Sequence, residues 1–110
     1  MSGSRGSGKR RAPKTATAAG AAPPKPRACV VDPHCLEDLQ WWVETNARVA
    51  TKALDLIRYA LRDPFSGPGK PEPLKGLGPN TWSRRLTGEH RPVYVVFDDW
   101  VTFVQARYHY

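Results

Sequence analysis

The chain has 110 residues, 40% of them hydrophobic, and a net charge of +7, enough for one small domain with a modest core and no more. No run of about 18 apolar residues is available to cross a membrane as a helix, and no secretory apolar stretch follows the basic N-terminus, so a cytoplasmic protein without a membrane anchor is expected. Seven of the 17 cations fall in residues 1–28, which hold no acid, and the other 10 cations balance the 10 acids.

Residues 1–28 are dominated by Gly, Ser, Ala, Pro, Lys and Arg, a composition that cannot bury enough apolar surface to offset its ordering entropy. A disordered basic tail is expected there, with Lys9, Arg10 and Arg11 able to attract phosphates non-specifically. The folded domain should occupy 29–110. It opens on a short apolar strand, Ala28 to Val31, stopped by Asp32 and Pro33. Cys29 and Cys35 lack companion ligands at metal-binding spacing, so neither a zinc site nor a disulfide framework is expected.

Asp32 suits a helix cap and Pro33 the first helical position, which predicts a helix to about Thr45 with Leu36, Leu39 and Val43 on one face. Ala50, Ala53, Leu54, Ile57 and Leu61 recur at helical spacing from near Asn46 until Asp63 and Pro64 end the second helix. From Phe65 to Asn80 the chain is rich in Gly and Pro and reads as loop. Three strands follow, Trp82 to Leu86, Val93 to Phe97 and Trp100 to Tyr108, joined by turns short enough for antiparallel hairpins. Strand, helical hairpin and meander together predict an α+β fold, two helices packed on a small, mostly antiparallel sheet.

Signs separate along the folded part. Residues 29–63 carry six acids and four bases, whereas 64–110 carry four acids and six bases, so the second half is the expected anion-facing half. It also ends on Tyr108, His109 and Tyr110, a titratable imidazole between two phenols. Trp41, Trp42 and Trp82 can stack on bases, but large aromatics in so small a domain more often serve a core or an interface. The last two strands are apolar on both phases, as expected where the outer face is covered, by a partner protein or a second copy.

Five blocks occur in order: Asp63-Pro64-Phe65-Ser66-Gly67, Gly69-Lys70-Pro71-Glu72-Pro73-Leu74-Lys75, Trp82-Ser83-Arg84-Arg85, Glu89-His90-Arg91 and Ala106-Arg107-Tyr108-His109-Tyr110. Together the blocks resemble the YoeB/Txe family of bacterial toxins, a branch of the RelE-like mRNA interferases; a looser match runs back through Trp41 and Trp42 to about Cys29. The resemblance implies a RelE/YoeB-like fold and the toxin of a type II toxin–antitoxin system. It also implies an endoribonuclease that cuts mRNA in the ribosomal decoding site and is held by a YefM/Phd-like antitoxin. A homodimer is a further assembly to expect.

RNA brings its own nucleophile, the 2′-hydroxyl, so the chemistry needs a base, cations for the phosphorane and an acid for the leaving oxygen, with no metal or other cofactor. Resemblance makes Glu72 the general base, and the flanking prolines stiffen its loop. By residue type alone, an exposed glutamate paired with Lys70 or Lys75 is the plain alternative. Arg91 matches the arginine that steadies the transition-state phosphate, where a guanidinium can form two parallel hydrogen bonds; pairing with Glu89 is its alternative. His109 is the expected general acid, an imidazole that titrates near neutral pH. Lys75, Arg85 and Tyr110 are expected to bind substrate, Arg85 because it shares the strand phase of Ser83. His90 reads as a hairpin residue. Pro92 departs from the family's aliphatic residue and is expected to withhold a backbone donor from the sheet. The rival function is a non-catalytic member of the same superfamily that acts only by binding antitoxin or operator DNA.

Overall fold

The computed structural model describes residues 25–108, and the expected tail therefore lies mostly outside the described residues. Lys25 to Ala28 are within it. Arg27 donates its backbone N–H to the Leu61 carbonyl at 2.8 Å and its Nε to the Phe97 carbonyl at 2.9 Å, so this residue is tied to the domain that follows.

Strand β1 (Ala28–Val31) leads into helix α1 (Pro33–Thr45). The Asp32 side chain accepts from the His34 N–H at 3.0 Å, satisfying one of the donors that a helix start leaves open, and Pro33 has no N–H to lose. A single residue, Asn46, separates α1 from α2 (Ala47–Arg62), its N–H bonded to the Trp42 carbonyl. Helix α2 ends at Asp63, before Pro64.

The buried face of α1 is not the expected one. Leu36 and Val43 are 60% and 55% exposed, while Cys35, Asp38, Leu39 and Trp42 face inward. Asp38 is an acid among these inward residues, and its carboxylate keeps a partner there by accepting the Ala106 N–H at 3.0 Å. In α2 the core positions are Ala50, Ala53, Leu56, Ile57 and Ala60, and Leu54 turns outward. The three alanines let the helix lie close to its neighbours.

Two strands come next, β2 (Glu72–Pro73) and β3 (Thr81–Ser83), then β4 (Val93–Val96) and β5 (Trp100–Gln105). Their order in one sheet is β1-β5-β4-β3-β2, with β1 parallel to β5 and every other pair antiparallel. The α+β expectation of helices on a small, mostly antiparallel sheet therefore stands. Tyr94, Val96, Val101 and Phe103 meet Leu39, Trp42, Leu56 and Ile57 in the core, each fully buried large side chain contributing about 1.5–3 kcal/mol.

Strand limits differ from the sequence reading in three places. The expected loop contains β2, which pairs Glu72 with Ser83 and Pro73 with Trp82. Strand β3 stops at Ser83 rather than Leu86, because the Arg85 N–H turns to the Gly69 carbonyl at 2.6 Å and the Leu86 N–H to His90 at 2.9 Å. Strand β5 stops at Gln105 rather than Tyr108, since Tyr108 has φ +63°, a left-handed conformation no strand can contain. The missing donor of Pro92 falls outside β4, and its carbonyl accepts the Arg84 N–H at 3.1 Å, so the proline costs the ladder nothing there.

Candidate active site

Glu72 reaches the site because β2 adds to the sheet edge. Its partner across the ladder is Ser83, which in turn pairs with Val93, so Glu72 and Ser83 share one face of the sheet. Arg91, just ahead of β4, points onto the same two residues: its Nη1 lies 3.0 Å from Glu72 Oε1 and 3.3 Å from Ser83 Oγ. The arginine side chain is 21% exposed and the glutamate 50%. A ligand can thus approach the carboxylate from solvent while the guanidinium is held from behind. Neither alternative ion pair forms among the described residues, for Glu72 does not pair with Lys70 or Lys75, nor Arg91 with Glu89.

Behind this pair stands Arg84, the largest fully buried side chain. Its Nη1 donates to the Pro68 carbonyl at 2.9 Å, and its Nη2 to the carbonyls of Asp63 at 2.6 Å and Ser66 at 2.9 Å. Its Nε donates to the Tyr94 hydroxyl at 3.1 Å, which itself donates to the Pro64 carbonyl at 2.7 Å. Burial pushes the Tyr94 phenol up from its ordinary value, keeping the proton that this bond needs. The breaker-rich loop is thus wound around one guanidinium. At Gly69, with φ +86°, an added Cβ would stand 3.0 Å from Arg84 Cβ and 3.1 Å from the Arg85 carbonyl, so only glycine passes. At the loop's start, bonds from Ser66 Oγ and the Phe65 N–H hold the Asp63 carboxyl below its usual range.

The end of the described chain is fastened to the same place. The Tyr108 carbonyl accepts the Arg91 N–H at 2.8 Å. Tyr108 donates its own N–H to His90 Nδ1 at 2.7 Å, and Gln105 Nε2 donates to the Arg107 carbonyl at 3.1 Å. One step upstream, α1 grips both backbone groups of Ala106, through Asp38 and through Trp42 Nε1, which donates to the Ala106 carbonyl at 2.8 Å. Trp41 lies under the Arg107 guanidinium at 3.7 Å. Trp42 is therefore core and clamp, and Trp41 a partly buried platform.

Of the residues singled out in the sequence, Glu72 and Arg91 meet directly. His109 and Tyr110 lie outside the described residues; His109 is bonded covalently to the Tyr108 carbonyl that Arg91 holds. Lys75 is exposed in the turn after β2 and Arg85 is exposed just past β3; among the described residues neither forms an ion pair with the site. Sequence reasoning gave Ser83 no role, although the period-two phase that links it to a residue across the ladder was the available signal. It also passed over Gln105 and the bond made by His90. Cys29 and Cys35 are free thiols, and burial pushes Cys35 up to about 12, far from reactive.

This small α+β scaffold is shared by solved bacterial toxins. The model of the YoeB-like toxin of bacterial type II toxin–antitoxin systems matches residues 31–110, and the chain belongs to that family. It is 48% identical over 84 residues to Toxin RelK of Mycobacterium tuberculosis, covering 76% of this chain and 99% of the relative. A solved YoeB/ParE toxin from Agrobacterium tumefaciens superposes with TM-score 0.71 at 45% identity, covering 76% of this chain and 99% of the other. A YoeB dimer from Staphylococcus aureus gives 0.71 at 30% identity over 78% of this chain and 100% of the other. A YoeB–YefM complex from that organism gives 0.67 at 32% identity over 76% and 98%.

Proposed function

We propose that this toxin is a ribosome-dependent endoribonuclease that cuts mRNA in the decoding site and so stops translation. The observation that carries the reading is the Glu72–Arg91 ion pair at 3.0 Å, with the Tyr108 carbonyl on the Arg91 backbone. It brings a carboxylate, a guanidinium and the peptide that leads into His109 to one sheet edge.

In this mechanism Glu72 takes the proton of a 2′-hydroxyl, whose oxygen attacks the adjacent phosphorus. The bond to the 5′-oxygen breaks, leaving a 2′,3′-cyclic phosphate on one fragment and a hydroxyl on the other, to which His109 gives a proton. Arg91 leaves its ion pair to bridge the phosphoryl oxygens, where preorganised charge acts most strongly. Lys75 and Arg85 bind flanking phosphates, and Tyr110 stacks on a base or bonds to phosphate. No step calls on a cofactor. The partners are mRNA on the ribosome and a YefM/Phd-like antitoxin, with a homodimer as a second assembly; the Staphylococcus aureus YoeB structures support both protein partners by similarity. The site of action is the cytoplasm, and no helix among the described residues is long and apolar enough to cross a membrane.

Mapping 5′ ends of a message in a purified translation system tests this reading. The wild type is expected to cut translated message and to leave naked RNA largely whole. Glu72→Gln, His109→Gln and a chain lacking Tyr110 should lose the cuts. Equal cutting of naked RNA overturns the ribosome dependence, and translation arrest that persists in all three variants favours the non-catalytic binder.

A further inference from the structure

We propose that Ser83 is a positioning residue of this site, whose buried hydroxyl is the fixed point about which the Arg91 guanidinium turns from Glu72 to the scissile phosphate. The inference deepens the nuclease reading above and rests on it. Arg91 Nη1 has two acceptors, Glu72 Oε1 at 3.0 Å and Ser83 Oγ at 3.3 Å. The fold holds these two differently. Glu72 stands on the edge strand β2, two residues long, with its side chain half-exposed. Ser83 is fully buried on β3, which has a strand on either side.

The proposed chemistry breaks the first contact and spares the second. Arg91 lets go of the carboxylate to bridge the phosphoryl oxygens, and Glu72 is then free to take a proton. What remains on the guanidinium is Ser83. At the other end of the same residue, the Arg91 N–H donates to the Tyr108 carbonyl at 2.8 Å. A long side chain held only at its backbone samples many rotamers. One held at backbone and tip keeps to a narrow arc, and a reacting group displaced by about 1 Å can lose roughly 100-fold in rate. A hydroxyl suits the task, since it accepts from Nη1 without a charge that competes with phosphate for the arginine. Cross-strand pairing with Glu72 puts that hydroxyl on the site's face. Among the described residues the Ser83 hydroxyl bonds no side chain but Arg91, so its removal frees the guanidinium and leaves the pairing of β3 with β2 and β4 in place.

The test uses the full chain on ribosomes translating a defined message. Ser83→Ala should lower the single-turnover rate at saturating toxin roughly 10-fold, the scale of one hydrogen bond to a charged group. Half-saturation should change little, because Arg91 grips the phosphate in the transition state. The melting temperature should fall by no more than about 8 °C. Ser83→Cys, similar in size but a weak acceptor, should be slowed as well. A second measurement needs no cleavage: nitrogen-15 NMR of the Arg91 guanidinium follows the exchange of Nη1 with Nη2. In Glu72→Ala, where the ion pair is gone, that exchange should stay slow, and adding Ser83→Ala should speed it several-fold. An unchanged rate in Ser83→Ala, a loss carried by half-saturation, a collapsed melting temperature, a cysteine variant as fast as wild type, or an exchange indifferent to Ser83 each overturns the positioning role while leaving the nuclease reading intact. A wild type that leaves translated message uncut takes both down.

Discussion

Replacing Glu72 with glutamine is expected to lower the cleavage rate by roughly 10²- to 10⁴-fold, the range that a positioned general base supplies, while the melting temperature moves by a few degrees at most. The two readouts separate because Glu72 is half-exposed and, among the described residues, its side chain makes one ion pair, to Arg91. Such a pair contributes about 1 kcal/mol or less in water. The glutamine keeps the size and an acceptor oxygen for Arg91, and lacks only the ability to take a proton. A rate that stays within threefold of wild type removes Glu72 from the chemistry; a collapsed melting temperature makes it a structural residue.

The opposite signature is expected of Arg84, the first of the double arginine Arg84-Arg85. Arg84→Met should destabilise the domain by about 3–5 kcal/mol, the range seen when one member of a buried charged network is removed. In a domain of this size that is a fall of at least roughly 12 °C in melting temperature. The carbonyls of Asp63, Ser66 and Pro68 and the Tyr94 hydroxyl all lose their shared donor. No other side chain spans three carbonyls and a phenol at once, so Arg84→Lys should recover only part of the loss. Arg85→Met, at an exposed position, should leave the melting temperature within about 2 °C, an effect below roughly 0.5 kcal/mol. Thermal unfolding of the three variants decides: equal melting temperatures would show that the buried guanidinium does not organise the loop.

The contrast explains what could be read from the sequence. Helix limits were legible because Asp32 and Pro33 open α1 and Pro64 ends α2 by local effects. The helical face of α1 was not, because Asp38 is buried through a bond to Ala106, 68 residues away, and nothing in a local pattern marks such a partner. Strand β2 was hidden for a related reason. A two-residue strand that follows one proline and ends on another has no alternation to detect, and only pairing with β3 makes it a strand. The early end of β5 follows from long-range bonds as well, since Arg91 and His90 turn Tyr108 out of the strand.

In the site itself, Glu72 and Arg91 were named by the blocks they occupy, 19 positions apart, and the fold brings them to 3.0 Å. Alternation along β3 separates Ser83 from Arg84, and the two have different partners, but nothing in the pattern shows that the Arg84 side chain winds the preceding loop. His90 was read from its place in a hairpin, which said nothing of the acceptor it offers to the chain end.

On the proposed mechanism a carboxylate and an arginine at this sheet edge make RNA cut itself through its own sugar hydroxyl. The decisive measurement translates a message carrying one 2′-deoxy nucleotide immediately 5′ to the mapped cut beside its all-ribose twin. The twin should be cut to a 2′,3′-cyclic phosphate while the deoxy message stays whole at that position. Cleavage of the deoxy message at the twin's rate would rule the mechanism out.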